Sequence, residues 1–326
     1  MRCATPSARD RKGWPGAGRH RSPFAKAIAE RRQAQLEPNR ALPVSDFTAY
    51  QARMAAPSTT PVLFDRALLR ARQARAGRLG AETFLLNRIA AELVERLDVV
   101  RREFSGAIDL ATPGDGLRDS LLSRVGAVRA AAIADDDAAP LDMPRESADL
   151  VVSALALQFV NDLPGVLSQI RYGLKPDGLL LAATLGGDTL TELRQSFAAA
   201  ETEIEGGVSP RVAPMIDLRD AGGLLQRVGF ALPVCDVERV VVRYGDAFAL
   251  MRDLRRMGAT NILVERRRMP TRRATMLRMA QIYGQRFADP DGRLRATFDV
   301  VWLSGWAPHD SQPKPLRPNS AKAIER

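Results

Sequence analysis

Two loops in the sequence combine residue types that could hold a small-molecule ligand. The first begins at Asp109, which ends a short apolar run, and continues through Gly114 and Gly116 into a predicted helix. Glycines in a strand-to-helix loop let backbone amides approach a ligand closely, and they are typical of cofactor sites. An ordinary strand-to-helix connection with two glycines has the same pattern, so both interpretations stand at this point.

The second loop is acidic. Asp135, Asp136 and Asp137 follow an apolar run that predicts a strand over Val128–Ile133. Asp135 lies 19 residues after Gly116, which is close to the spacing at which dinucleotide-binding folds place the acid that binds a ribose. The alternative is a solvated loop of like charges.

Two further candidates follow the next predicted strands. Gln158 could orient a substrate through its amide, although an amide cannot serve as a general base, and a structural anchor is the alternative role. The run Gly186-Gly187-Asp188 places two glycines and an acid directly after a buried strand. Such a loop permits close approach of a ligand or partner, and we expect it to be a functional edge.

Metal and thiol chemistry have few candidate residues. The histidines are His20 and His309, so an iron site of two histidines and a carboxylate is not predicted, and we expect no metal. Cys3 and Cys235 form neither a disulfide framework nor a zinc pattern, which is typical of a reducing compartment. A surface-loop histidine is one role for His309, which lies in the run GWAPHDSQ.

The elements that position these residues are strands and helices in alternation. Leu150–Leu155 and Leu179–Ala183 are nearly unbroken apolar runs, as expected of parallel strands that are buried on both faces. The helix between them, capped at Asn161-Asp162, completes a right-handed βαβ unit. Ligands bind beyond the carboxyl ends of such strands, which here are Ala156–Asp162 and Leu185–Asp188.

The periodicity of the other segments predicts an α/β chain. Apolar residues at helical or strand spacing predict helices over 83–100, 117–125, 189–203, 217–228, 246–257 and 271–287, and strands over 107–110, 234–244 and 297–303. Asp188-Thr189 and Asp217 are expected to cap their helices, and Gly229 is expected to end one.

The charge of the chain is concentrated at one end. The chain has 326 residues and a net charge of +10, but residues 1–60 alone hold eleven basic and four acidic side chains. We expect this segment to be a disordered basic extension. The alternatives are contact with nucleic acid, for which aromatic residues are sparse, contact with an anionic membrane, and a mitochondrial presequence.

The run DLVVSALALQFVNDLPGVLSQIRYGLKPDG resembles the second half of a class I S-adenosylmethionine-dependent methyltransferase. LGGDTLTELR and the following AETEIEGGVSPRVAP resemble, more narrowly, the branch that includes the mitochondrial complex I assembly factor described as a protein-arginine hydroxylase. The resemblance covers about residues 64–322. It implies a Rossmann-like sheet, mostly parallel with an antiparallel last strand, in a domain over 61–310 with a helical insertion at about 246–289, followed by an extended tail over 311–326.

The same resemblance assigns S-adenosylmethionine as cofactor. It implies that Asp109, Gly114 and Gly116 contact the methionine part, and that Asp135 and Asp136 lie at the adenine end. Ala111 replaces the family's first loop glycine, and Pro113 removes an amide donor, so we expect weak cofactor affinity. Only 40 residues separate Asp109 from Asp149, which predicts that the family's usual second strand, with its ribose-binding acid and its helix, is missing or much reduced.

The resemblance implies a methyltransferase-family protein whose substrate is a protein subunit of the respiratory chain. Gln158, Gly186, Gly187, Asp188 and His309 are its candidate substrate or partner residues. The alternatives are a non-catalytic assembly chaperone and a small-molecule enzyme like the malonyl-carrier-protein O-methyltransferase. Neither a disulfide partner, nucleic acid nor a transmembrane segment is expected, and the location is cytoplasmic in a bacterium or the mitochondrial matrix in a eukaryote.

Overall fold

The computed structural model of the protein describes residues 62–135 and 139–313. The predicted extension over 1–60, the acids Asp136 and Asp137, and the predicted tail beyond residue 313 lie outside the described residues. The helices are α1 Arg66–Arg78, α2 Phe84–Asp98, α3 Gly116–Leu121, α4 Leu163–Gly173, α5 Thr191–Glu205, α6 Leu218–Val228, α7 Ala247–Arg256 and α8 Arg273–Phe287. The strands are β1 Ala107–Leu110, β2 Val128–Ala131, β3 Ala148–Ala154, β4 Leu174–Leu185, β5 Ala231–Tyr244 and β6 Leu294–Trp306.

The six strands form one sheet in the order β2-β1-β3-β4-β6-β5. The pairs from β2 to β4 are parallel, while β6 is antiparallel to both β4 and β5. Only β6 therefore runs against the others, which confirms the predicted mostly parallel sheet with an antiparallel last strand. Helices α7 and α8 lie between β5 and β6 in the chain, as the predicted helical insertion requires.

Strand β2 pairs directly with β1, with Ala107 opposite Val128 and Leu110 opposite Ala131. No strand lies between them in the described sheet, which agrees with the prediction that the sheet has lost a strand. The chain between these strands is long enough for one loop and the short helix α3, which makes a single crossover. The position of β2 is the one that the second strand holds in the common doubly wound order.

The central strands are apolar throughout because helices cover both faces of the sheet. In β3, Val152 and Ala154 pack into a core cluster with α2, α5, α7 and α8, whereas Val151 packs into a second cluster with α4 and α6. The same alternation in β4 sends Leu181 to the first cluster and Leu180 to the second. Both predicted buried strands are thus explained by two-sided burial.

Most predicted helix ends are present. Asp217 accepts a hydrogen bond from the Asp220 backbone at 2.8 Å and caps α6, and Gly229, with φ +91°, ends that helix. Asp162 caps α4 by accepting from Gly165 N at 3.0 Å, whereas Asn161 does not cap it and binds a different segment.

The predicted cap of α5 by Asp188-Thr189 is wrong. The residue before α5 is Leu190 in the left-handed conformation, and no side chain caps the helix. The Thr189 hydroxyl instead accepts from Asp299 N of β6 at 3.1 Å, and Asp188 forms an ion pair with Arg239 of β5. Both side chains that the sequence assigned to the helix cap therefore bond to strands of the sheet instead.

Helix α1 is an element that the sequence did not predict. Its sequence alternates arginines with alanines, and only Leu69 and Ala76 are buried. The segment before it is held by Asn161, whose Oδ1 accepts from Leu63 N and Phe64 N at 2.9 and 2.8 Å. None of the helices in residues 62–135 and 139–313 is long and apolar enough to cross a membrane.

Candidate functional site

A cavity of about 640 Å³ opens at the carboxyl ends of β3 and β4. Its wall is mostly apolar and comes from the loops after β1 and β3, from α1, α2 and α5, and from the connection between α7 and α8. The volume lies within the range of about 300–1,000 Å³ that is typical of small-molecule sites. Of the residues predicted to form a site, Gly114 and Gln158 line this cavity.

The loop after β1 reaches the cavity through Pro113 and Gly114. Gly114 has φ +73°, which favours glycine, and nothing lies within 4 Å of a Cβ added there. Ala111 also has a positive φ, of 57°, so it adopts a glycine-like conformation without being glycine. The Thr112 hydroxyl accepts from Ala154 N at 2.9 Å and fixes the loop to β3. Gly116 begins α3.

Asp109 lies behind this loop with a fully buried side chain. Its Oδ2 is 3.4 Å from Arg118 Nη1, while its Oδ1 is buried without a hydrogen-bond partner among the described residues. Burial raises the pKa of Asp109, and interactions with Thr112 and Arg118 oppose that shift. A buried carboxylate beside a glycine-containing loop fits a cofactor with an amino group, but Asp109 does not line the cavity, so such a cofactor would reach it only after the loop had shifted.

Asp135 is engaged by the helix that sequence reasoning missed. Its carboxylate forms an ion pair with Arg70 of α1, and Arg66 of the same helix donates to Ile133 O at 2.9 Å. Helix α1 thus lies against the loop after β2. A ligand that used Asp135 would have to share or displace Arg70. Asp136 lies outside the described residues.

Gln158 is built into the end of the βαβ unit. Its Nε2 donates to Leu155 O at 2.6 Å, and its Oε1 accepts from the Thr184 hydroxyl at 3.2 Å. Both ends of the amide therefore tie the loop after β3 to β4. The side chain also lines the cavity, so it fixes the shape of the wall that a substrate would meet.

The Gly186-Gly187-Asp188 loop packs against the sheet at the side of the cavity. A Cβ on Gly186 would lie 2.6 Å from Val301 Cγ2, so the close approach that needs this glycine is to β6. Asp188 is exposed and 2.7 Å from Arg239. The cavity wall next to the loop is formed by Thr189 and Leu190.

Two residues that sequence reasoning did not single out hold this loop. Arg194 donates to Gly187 O at 3.2 Å and to Thr189 O at 3.1 Å. The buried carboxylate of Glu192 accepts from Thr297 N at 3.1 Å and from the Thr297 hydroxyl. Both residues belong to the run LGGDTLTELR, so the spacing of the motif was the signal that could have found them.

His309 lies at the opposite end of the strands from the cavity. Because β6 is antiparallel to β4, it runs away from the carboxyl end of β4, and its last residue, Trp306, pairs with Leu179 in the first half of that strand. His309 follows this end, and its Nδ1 is 2.7 Å from the Ser311 hydroxyl. The structure therefore does not bring His309 together with the cavity.

The sheet order and a cavity at the carboxyl ends of the parallel strands define a Rossmann-like methyltransferase fold. Residues 115–182 match the family model described as "Methyltransferase domain". The chain belongs to the family of the mitochondrial arginine-hydroxylase NDUFAF5. It is 37% identical to the rat protein over 284 residues, which are 79% of this chain and 81% of that protein.

Other relatives align over shorter stretches. The NDUFAF5 protein of Dictyostelium discoideum is 44% identical over 178 residues, which are 54% of this chain and 41% of that protein. A malonyl-[acyl-carrier protein] O-methyltransferase of Laribacter hongkongensis is 43% identical over 180 residues, which are 55% of this chain and 58% of the enzyme. Among solved structures, the YcgJ protein of Bacillus subtilis has a TM-score of 0.45 at 12% identity and covers 68% of this chain and 99% of its own.

Proposed function

We propose that this protein is an S-adenosylmethionine-dependent methyltransferase of the NDUFAF5 family whose acceptor belongs to a protein of the respiratory chain, during assembly of complex I. The observation that carries the proposal is the apolar cavity at the carboxyl ends of β3 and β4, with Pro113 and Gly114 in its wall. S-adenosylmethionine supplies a methyl group that is already activated on a sulfonium. The protein therefore needs mainly to position the acceptor and exclude water, for which a largely apolar cavity is suited.

The residues present fit the cofactor at one end better than at the other. Gly114 offers an amide in the cavity wall, and the buried carboxylate of Asp109 lies behind it. At the other end, Asp135 follows the strand next to β1, where doubly wound folds place a ribose-binding acid, but Arg70 occupies its carboxylate. We propose that Asp135 contacts the nucleoside end only after Arg70 has moved.

Cofactor affinity is expected to be weak. Pro113 lacks an amide donor, and the exposed ion pair between Arg70 and Asp135, worth about 1 kcal/mol or less, must be given up. A charged hydrogen bond that the cofactor loses costs about 1.5–3 kcal/mol, or about ten- to hundredfold in affinity, so a micromolar binder would fall toward the millimolar range.

Calorimetric titration of the full chain with S-adenosylmethionine tests this expectation. Arg70→Ala should strengthen binding because it frees Asp135, and Asp135→Ala should weaken it. Arg78→Ala, on an exposed position of the same helix, is the matched control. Micromolar binding by the wild type would contradict the weak-binding expectation. Identical affinities in the Arg70 and Asp135 variants would contradict the placement of the nucleoside end.

A non-catalytic assembly chaperone is the second candidate. It is favoured by the Gly186 loop, whose close contact is to β6 rather than to the cavity, and by the occupied carboxylate of Asp135. The relative from Laribacter makes a small-molecule O-methyltransferase the third. Transfer of labelled methyl to respiratory-chain subunits or to a malonyl-carrier protein separates the three, because the chaperone labels neither. We propose a cytoplasmic location in a bacterium and the mitochondrial matrix in a eukaryote.

A further inference from the structure

Strand β5 forms a long open edge of the sheet. It is the last strand in the sheet order, and within residues 62–135 and 139–313 it pairs only with β6. The pairing is regular from Val234 to Tyr244, so the other side of this run presents a row of backbone N–H and C=O groups that a further strand can bind. Natural edge strands are usually short, bulged or interrupted by proline. In β5, Pro233 and the shift in register after Ala231 both precede the regular run.

The side chains of β5 leave this edge accessible and electrically neutral. Val237 and Val241 lie on one face of the strand and are each 46% exposed. The strand carries two acidic and two basic side chains, and each has an ion-pair partner on another element. The pairs are Asp236 with Arg96, Glu238 with Arg88, Arg239 with Asp299, and Arg243 with Asp289.

We propose that β5 pairs antiparallel with β5 of a second copy of the chain, which joins the two sheets into one across a symmetric dimer. An interface of this kind uses the same surface on both copies, so it closes at two copies and removes both open edges. Backbone hydrogen bonds along the strands supply the attraction, as in other complexes that form by addition of a strand. The inference goes beyond the proposed function and does not depend on methyl transfer.

The order of the charges along β5 selects one register. A two-fold axis at a residue places that residue opposite its own copy and pairs the residues on either side in reverse order, and like charges directly opposite each other are destabilising. Among axes at residues 236 to 241, only the axis at Val240 sets no two like charges opposite each other. The axis at 236 pairs Asp236 with itself, 237 pairs Asp236 with Glu238, 238 pairs Glu238 with itself, 239 pairs Arg239 with itself, and 241 pairs Arg239 with Arg243.

The same register covers the exposed valines. With the axis at Val240, Arg239 lies opposite Val241 of the second copy, and Arg243 lies opposite Val237 of the second copy. The methylene groups of an arginine can pack over an apolar neighbour while the guanidinium stays at its carboxylate. By symmetry each contact occurs twice, so both valines of each copy are removed from water.

Sedimentation equilibrium of the full chain tests the dimer. At concentrations of about 1–100 μM, which span the affinities of ordinary complexes, the mass should be twice the 35.6 kDa of one chain. The double substitution Val237→Lys and Val241→Lys places lysines opposite arginines and should weaken dimerisation by about tenfold or more. Val99→Lys is the matched control, because Val99 is 79% exposed just after α2, and it should leave the dimer intact. Circular dichroism of each variant verifies that it is folded.

Disulfide trapping tests the register. Residues that face each other across an antiparallel pair have Cα atoms about 4.5–5.5 Å apart, which a disulfide can span. In a background with Cys3→Ala and Cys235→Ala, Val240→Cys should therefore form covalent dimers on oxidation. Val234→Cys, which lies far from the axis, should not.

Three results would overturn the proposal. One is a monomer in which the amides of residues 234–244 exchange rapidly, since the edge would then be free. Another is a monomer whose amides at 234–244 lose protection when residues 1–60 are deleted, since that segment would then be the occupant. The third is a dimer that the double lysine variant does not weaken, since the contact would then lie on another surface.

Discussion

The first prediction concerns the local stability that Asn161 provides, since its side chain joins the segment before α1 to the rest of the protein. Its buried side chain makes three hydrogen bonds: Oδ1 accepts from Leu63 N at 2.9 Å and Phe64 N at 2.8 Å, and Nδ2 donates to Phe64 O at 3.2 Å. Asn161→Ala removes all three. At a net value of about 0.5–1.5 kcal/mol for each bond, attachment of this segment weakens by about 1.5–4.5 kcal/mol.

Other contacts of the segment remain in the variant. Asp65 N donates to Ile262 O at 2.9 Å, and Phe64 packs edge-to-face on Phe159 with ring centroids 6.0 Å apart. The expected effect is therefore local opening of residues 63–79 rather than global unfolding. A factor of ten in the opening equilibrium corresponds to about 1.4 kcal/mol, so amide exchange in α1 should accelerate by about ten- to a thousandfold.

Hydrogen–deuterium exchange with peptide resolution is the assay. Fast exchange should be confined to α1 and its flanks, while the strands β3 and β4 keep their protection. Asn87→Ala is the matched control, because Asn87 is exposed and bonds only to Thr83 in the described contacts. Unchanged exchange in α1, or equal acceleration in α1 and the central strands, would refute the inference that Asn161 stabilises only the local attachment of residues 63–79.

Two substitutions test other parts of the site. Asp188→Ala should lower the free energy of unfolding by about 1 kcal/mol or less, because the ion pair with Arg239 is exposed. The same substitution should weaken binding of the acceptor protein by a larger free energy. Equal losses in denaturation and pull-down measurements would show that the role of Asp188 is purely structural. Asp109 has a raised pKa, so the folded protein keeps this proton to higher pH than the unfolded chain, and its stability falls as pH rises from about 3.9 through the folded value. Asp109→Asn removes this dependence, so urea denaturation should show the variant gaining on the wild type with pH over that window, and a constant difference would contradict the assignment.

The βαβ unit was predictable from sequence because its information is local. The apolar runs of β3 and β4 record burial on both faces, and the acids Asp162 and Asp217 cap helices within three residues of themselves. Helix α1 was not predictable in this way. It has no apolar stripe, and the segment before it is held by Asn161, which lies 97 residues after Phe64 along the chain.

The part of the candidate site that depends on local sequence signals was predicted, and the part that depends on distant residues was not. Gly114 and Gln158 follow directly from strand ends, and both line the cavity. The partners of Asp135 and Asp188 are Arg70 and Arg239, which lie far away in sequence and meet them only through the tertiary fold. The location of His309 depends on the direction of β6, which a strand pattern alone does not reveal.

The place of β6 in the sheet has a consequence during protein synthesis. β6 lies between β4 and β5, yet the ribosome makes it after both of them and after α8. Until β6 emerges, β4 keeps an unpaired edge, and the partners of Thr189 and Glu192 do not yet exist. Such an edge can pair with another nascent chain, so the half-made protein passes through an aggregation-prone stage in which a chaperone would be of most use.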